Sequence, residues 1–573
     1  GVAAGVLLSP TPFALVDDLT IATQTRGRSA RLPRGPRDRI RTRCALCPAG
    51  CSVEVLTVGG RPYLTVPAGC DAPACALRPA AHRFALLPDR FRTPQSGGRL
   101  LADTAAGLEQ AARWIDEATA RGGAIALLDA SRRPAIATPL YDLASALPGA
   151  RWIDLESDPL DHLGTALGLD ASLELAVDPR SVERAVVVRP GRSIAEARRI
   201  EDGEDPARTV TRLARTSSSG VVFAEDGAGF RPDDDLLARV AWIDHELGAV
   251  GPDRLLLPRR RIEDDLHHGT IADHPPGSLD LLVVDASRPA GAIPWRRLRR
   301  MLDPDHGRLV VFALAPGPAA RAADLVLPAT APFETEDVVG GARRGPSTRL
   351  ALGRAVHPRR REATDASQLV HVLKGNASTV TGPEALAARL QRRGRGLLVR
   401  PDGKRSPVPS ETADRILAAL REGAVWEDEP VTRTLGTRSP ALRSAPANTT
   451  RRLVLEGALV CAAGERVPAV LSKVAREHPL LPRTATVRVH PDDARELGVE
   501  NGDELRVRTT AGTVRARASV DPGVRARSLL LGCGLSDAAL DGSPRDESTE
   551  ALEFLDLDPG TETAPTILET EVV

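Results

Sequence analysis

Five of the seven cysteines in this 573-residue chain fall between Cys44 and Cys75. Cys44-x2-Cys47-x3-Cys51 puts three thiolates on one turn-forming loop, so one segment can hold most of an iron–sulfur cubane while a more distant thiolate closes the site. Cys70 and Cys75 both lie where a closing thiolate is needed. Zinc takes four ligands and can use the same set, although the uneven spacing suits a cubane better than the paired repeats of a zinc ribbon. Disulfides are the alternative for an exported chain. Cys461 and Cys533, set among apolar and small residues, read as buried structural thiols.

Other residue types offer less. Asp285-Ala286-Ser287-Arg288-Pro289 follows an apolar run, at the carboxyl edge where open α/β sheets bind ligands. There Asp285 can accept from a ribose or guanine and Arg288 can pair a phosphate; a capped loop with no ligand explains the same residues. Gly227-Ala228-Gly229 is too weak a glycine signal to count. The 11 histidines show no metal spacing, and His267-His268, neighbours in an acidic, loop-like stretch, read as a surface pair.

These residues need elements to hold them. Thr104–Ala120 has the period of an amphipathic helix, and short apolar strands are expected at Ala124–Asp129, Arg184–Val188, Gly220–Ala224, Leu279–Asp285 and Arg308–Ala315. Strands separated by helices imply an α/β body with parallel sheets. Ser52–Gly60 reads as a hairpin segment with a Gly-Gly turn. Near the C-terminus, strands at Thr486–Val489, Glu504–Thr509 and Val514–Val520 with a short helix at Pro491–Leu497 imply a β-barrel-like domain. Residues 391–450 lose periodicity and read as a linker or insertion holding one helix, Glu411–Glu422.

Composition bounds the rest. The length implies three or four domains. With 42% hydrophobic and 27% charged residues and no apolar run long enough to cross a bilayer, the chain reads as globular rather than membrane-spanning. The 76 basic and 76 acidic residues balance, which removes the bulk electrostatic case for nucleic acid as a partner. Residues 24–43 carry eight Arg against one acid and read as a solvated, extended basic arm. Gly1–Leu8 has the small, apolar texture of a signal-peptide core, so an export leader is expected to begin upstream.

Cys44-Ala-Leu-Cys47-Pro-Ala-Gly-Cys51, then Cys75-Ala-Leu-Arg78-Pro, then Pro88-Asp89-Arg90-Phe91-Arg92-Thr93-Pro94, resembles the N-terminal cluster module of the molybdopterin oxidoreductase family, the superfamily of DMSO reductase and formate dehydrogenase. Ala323-Asp324-Leu325-Val326-Leu327-Pro328 with the following Glu334 resembles a stretch that lies near the bound cofactor in that family. His490-Pro491-Asp492, Asn501-Gly502-Asp503 and Gly512-Thr513-Val514 resemble its C-terminal dinucleotide-binding barrel. The resemblance selects Cys75 over Cys70 as the fourth ligand of a [4Fe–4S] cluster, places Arg78 on an electron path between cluster and pterin, and puts Asp285, Arg288 and Glu334 near a molybdopterin guanine dinucleotide carrying molybdenum or tungsten. It implies a leader and basic arm at 1–43, a cluster module at 44–99, an α/β body at 100–390, the linker at 391–450 and the β-barrel-like domain at 451–573.

One departure matters. Active members bind the metal through a Cys, selenocysteine, Ser or Asp of the body, yet no cysteine lies between Cys75 and Cys461. Ser131, Ser157, Asp158 and Asp161 are conceivable oxygen ligands, each explained as well by a turn or cap. The shortened body resembles the molybdopterin-like subunits of periplasmic quinone-linked respiratory complexes. That likeness implies an exported chain on the outer face of the cytoplasmic membrane, attached through iron–sulfur and membrane subunits. The activity expected is electron transfer through the cluster; the alternative is a scaffold subunit that keeps the fold without the metal.

Overall fold

The computed structural model describes residues 37–572 apart from 46–49, 69–84, 86–89, 132, 148, 155–158, 179–180, 189–198, 201–203, 216–218, 224–233, 263–265, 288–292, 317, 341–346, 376–379, 432–436, 438–451, 458–485, 511 and 534–566. Its centre is an eight-stranded sheet in the order His267–Thr270, Arg151–Asp154, Ile125–Asp129, Leu281–Asp285, Arg308–Ala313, Leu325–Pro328, Gln95–Ser96, Arg99–Leu100. The first six strands are parallel and the last two form an antiparallel hairpin on one edge.

Alternation along each strand explains why the central runs are apolar throughout. Leu127, Leu281, Val283, Val310 and Phe312 face one core, shared with the helices Thr104–Ala120 and Pro139–Ala146. Ala126, Leu128, Leu282, Val284, Leu309 and Val311 face a second core with Trp295, Leu298 and Met301 of the helix Trp295–Met301. Both faces are covered, as parallel sheets require. Thr104–Ala120 matches its expected bounds and buries Leu108, Ala111, Ala112, Ile115 and Ala118, one stripe at helical spacing. Its start is fixed by Asp103, whose side chain accepts from the Ala106 amide.

Between Arg151–Asp154 and His267–Thr270 the chain leaves the sheet and builds a second α/β unit. There the helices Pro159–Ala166, Pro206–Leu213 and Asp234–Glu246 accompany the parallel pair Arg184–Val188 and Ser219–Phe223 and the antiparallel pair Leu173–Val177 and Leu256–Arg260. The expected strands at 184 and 220 are thus present, in a smaller sheet of their own. His267 and His268 lie on a strand rather than a loop; both are exposed, and His268 Nδ1 is 3.0 Å from Asp154 Oδ2.

Within this unit Asp244 is fully buried, with Oδ1 accepting from the Val221 amide at 2.8 Å. Oδ2 has no partner among the described residues. Burial pushes this carboxyl well above its ordinary range. The folded state therefore keeps a proton that the unfolded chain releases near pH ~4, so this group costs increasing stability as pH rises from there toward its folded pKa. Thermal melts from pH 4 to 8 should show wild type losing Tm relative to Asp244→Asn as pH rises; parallel curves would remove Asp244 from the account.

Two expectations need correction. Arg37–Arg43, assigned to the solvated arm, is a strand paired antiparallel with Ser52–Val58, which pairs in turn with Arg61–Pro67 across the expected Gly59-Gly60 turn. Arg39 and Arg41 are accommodated by one acid on the neighbouring strand, Glu54, a long-range pairing that composition cannot reveal. Residues 397–427 of the expected linker are folded: Leu397–Val399, Arg405–Pro407 and Val425–Glu427 complete a five-stranded antiparallel sheet with Asp337–Gly340 and Arg349–Gly353. The helix expected there is Ala413–Arg421, and Trp426 is completely buried. Three-residue strands are too short to show alternation, which is why the sequence reads as structureless.

The C-terminal domain is a six-stranded mixed sheet in the order Arg452–Gly457, Ser528–Cys533, Thr486–Val489, Gly512–Val520, Glu504–Thr509, Ile567–Val572. Its core joins Val487, Val489, Leu505, Val507, Val514, Ala516 and Leu531, with Ala494 from the helix Pro491–Leu497. Among the described residues no helix is long and apolar enough to cross a membrane.

Candidate functional site

Of the five clustered cysteines, Cys44 and Cys51 are described, while Cys47, Cys70, Cys75 and Arg78 lie outside the described residues. The loop between the two is closed by the Cys44 amide donating to the Cys51 carbonyl at 2.9 Å. Gly50 turns it with φ +54°, and a Cβ there would stand 3.1 Å from the Gly340 amide nitrogen. Only glycine combines that backbone angle with so close an approach. On the near side, Thr42 Oγ1 donates to the Arg354 carbonyl at 3.0 Å and accepts from its amide at 2.7 Å. Ala45 packs with Val339 and Ala351. The cysteine loop is thereby seated on the five-stranded sheet.

Arg43 sits at the root of this loop, its Nη1 3.4 Å from the Gly50 carbonyl. Burial draws its guanidinium below the ordinary value, and the nearby Cys51 sulfur works in the opposite direction. Two thiols on one closed loop beside a cation suit a thiolate-held cluster. Among the described residues no three Cys, His, Asp or Glu are grouped to hold a metal.

A buried ion pair ties the cysteine-bearing segment to the body. Arg90 Nη1 and Nη2 grip Glu334 Oε1 and Oε2 at 2.5 and 2.8 Å, with side chains 2% and 1% exposed. Arg90 also donates to the Ala329 carbonyl at 3.0 Å and the Ala85 carbonyl at 3.1 Å, and Arg360 Nη2 reaches the same Ala85 oxygen at 3.3 Å. Glu334 Oε2 accepts in addition from the Ala331 amide at 2.9 Å. Glu334, which the resemblance places near the cofactor, thus has both oxygens turned to protein groups, and its observed work is to neutralise Arg90. The Pro-Asp-Arg and Leu-Pro…Glu segments, far apart in sequence, meet through this pair.

The second locus is the carboxyl edge of the eight-stranded sheet. After Ile125–Asp129 the chain moves to one side, to Arg151–Asp154; after Leu281–Asp285 it moves to the other, to Arg308–Ala313. The two central strands flank a topological switch point, where loops part to opposite faces and open α/β sheets take ligands. Both strands end in aspartate, and Asp129 and Asp285 are direct register partners. Each Oδ1 accepts the amide two residues on, Ser131 at 2.7 Å and Ser287 at 2.9 Å. Asp285 therefore caps its own loop; Arg288 lies outside the described residues.

Asp129 and Arg133 were not anticipated. The Ser131 hydroxyl bonds to Asp129 Oδ1 and accepts from Arg133 Nε at 2.8 Å. Asp129 Oδ2 and Arg133 Nη2 lie 3.6 Å apart, both buried and both without a hydrogen-bond partner among the described residues. Burial above all, reinforced by Asp285, pushes the Asp129 carboxyl up, against the pull of Arg133 and the Ser131 bonds. A buried acceptor and a buried donor left open side by side suit a bound group that offers both, as a pterin or guanine edge does. One sequence signal was available: Asp129-Ala130-Ser131-Arg132 is repeated as Asp285-Ala286-Ser287-Arg288. Of the remaining oxygen candidates, Asp161 is paired with Arg261, and Ser157 and Asp158 lie outside the described residues.

Comparison with known proteins adds two findings. Residues 472–565 match the family described as Molydopterin dinucleotide binding domain. Among solved structures, acetylene hydratase from Pelobacter acetylenicus is similar with a TM-score of 0.64 and 10% sequence identity, over 93% of this chain and 100% of that one. At that identity the likeness is one of fold. No curated protein matches the sequence.

Proposed function

We propose, from the match of residues 472–565 to the Molydopterin dinucleotide binding domain and the fold shared with acetylene hydratase, that the chain is a member of the molybdopterin oxidoreductase family and the molybdopterin-type subunit of an exported, quinone-linked respiratory complex, with Cys44, Cys47, Cys51 and Cys75 holding a [4Fe–4S] cluster. When bound, a molybdopterin guanine dinucleotide with molybdenum or tungsten supplies two-electron chemistry and the cluster passes electrons singly. The observation that carries this reading is the cysteine loop, closed on itself at Cys44 and Cys51 and seated on the body through Gly50 and Gly340. Arg78 would bridge cluster and pterin, because a delocalised cation can hydrogen-bond both at once. Asp285 and Arg288 would hold the dinucleotide at the switch point, beside the open Asp129 and Arg133 atoms. Iron–sulfur and membrane subunits would attach the chain to the outer face of the cytoplasmic membrane.

A second reading, a scaffold subunit that has lost the metal, is favoured by Ser131. This hydroxyl is already engaged by Asp129 and Arg133, and the sequence offers no body thiolate in its place. A metal centre needs an ordered first set of ligands and groups that orient them. Iron, sulfide, molybdenum, tungsten and extractable pterin measured in protein from a host that makes the cofactor and supports export separate the readings. Iron and sulfide at cluster stoichiometry are expected. Stoichiometric molybdenum or tungsten with pterin removes the scaffold reading, a cluster with neither establishes it, and protein without iron overturns the electron-transfer proposal.

A further inference from the structure

We propose that Arg43 is the built-in counter-cation of the cysteine loop and sets the reduction potential of the cluster held there; the inference rests on the cluster reading above. Arg39, Arg41 and Arg43 share one face of the strand Arg37–Arg43 by its two-residue period. The first two are neutralised by Glu54, at 3.3 and 2.9 Å. Arg349, a further cation near Arg43, is paired with Glu427 at 2.7 Å. Arg43 alone of these forms no ion pair among the described residues. Its Nη1 points instead to the carbonyl of Gly50, the peptide that leads into Cys51. Its placement is tight, since a Cβ on Gly353 would stand 3.0 Å from the Arg43 carbonyl oxygen and 3.6 Å from its Cβ.

A partly desolvated guanidinium with no carboxylate partner among the described residues is stabilised by another anion brought beside it. The group available at this position is the Cys51 thiolate, which follows the Gly50 carbonyl that Arg43 meets. A cluster ligated by thiolates carries net negative charge that grows by one when it accepts an electron, so a fixed neighbouring cation stabilises the reduced form more than the oxidised one. Arg43 is a positioning charge, distinct from Arg78, which is assigned to the path rather than to the potential.

The test uses the full chain, prepared anaerobically and reconstituted with ferrous iron and sulfide, with the midpoint read by redox titration followed by electron paramagnetic resonance. Arg43→Gln should keep the cluster and shift the midpoint to more negative values, while Arg43→Lys, which keeps the charge, stays near wild type. Loss of the cluster in Arg43→Gln with retention in Arg43→Lys also supports the assignment, because charge and not shape is then what the loop needs. An Arg43→Gln cluster with the wild-type midpoint overturns it, as does loss of the cluster in both variants, which would make Arg43 a packing residue. Wild-type protein that takes up no iron and sulfide overturns the cluster reading itself, and Arg43 with it.

Discussion

Cys75→Ser is expected to abolish the broad ~400 nm absorbance of an iron–sulfur chromophore in anaerobically prepared protein, and Cys70→Ser to spare it. Spacing alone does not choose between the two thiols, since both follow the Cys44-Cys47-Cys51 loop at usable distances. The choice of Cys75 comes from the Cys75-Ala-Leu-Arg78-Pro context and from the Pro88–Pro94 tail that follows it. The seating of the Cys44–Cys51 loop adds a physical reason for a complete effect. Three ligands on one segment leave an iron corner open, and a cubane with an open corner exchanges iron and is degraded by oxygen. Serine offers a harder, less acidic oxygen in place of the thiolate. The opposite pattern, absorbance lost with Cys70→Ser and kept with Cys75→Ser, would transfer the fourth position to Cys70. Wild-type protein colourless under anaerobic preparation would favour zinc or a remnant of the cluster site.

What the sequence revealed and what it hid follow from the range of the interactions involved. Thr104–Ala120 and Pro491–Leu497 were legible to the residue, because a buried stripe at helical spacing and a capped start are local signals. The strands ending in Asp129 and Asp285 were legible as fully apolar runs, though not that they would lie side by side in register. That adjacency depends on the chain leaving the sheet after Asp154 and returning at His267. Ser131 is therefore legible only as a conceivable oxygen ligand, and its grouping with Asp129 and Arg133 is not, although the repeated Asp-Ala-Ser-Arg marks Asp129 and Ser131. Arg37–Arg43 was misread for a related reason. Its charges imply solvation until Glu54 and the partner strand are known, and these lie beyond the cysteine loop.

The ion pair between Arg90 and Glu334 gives the second large effect: Glu334→Ala should cost about 3–5 kcal/mol of stability, because it leaves a buried guanidinium uncompensated. For a protein whose domains are stable by roughly 5–15 kcal/mol, a loss of that size approaches the margin. Replacing both partners, Arg90→Leu with Glu334→Leu, should recover a good part of the loss, since removing the second charge also removes the desolvation that the first was offsetting. Urea unfolding of the three proteins measures this directly; a Glu334→Ala cost below about 1 kcal/mol would mean that water reaches Arg90 and the pair is ornamental. The same variants separate folding from function. Arg90 and Arg360 both hold the Ala85 carbonyl, in the segment that follows Cys75. The double variant loses the Arg90 bond to Ala85 even where it recovers stability, so its iron content tests whether this anchor serves the cluster: iron lost from a well-folded double variant assigns Arg90 to presenting Cys75, and iron retained confines the pair to holding the body together.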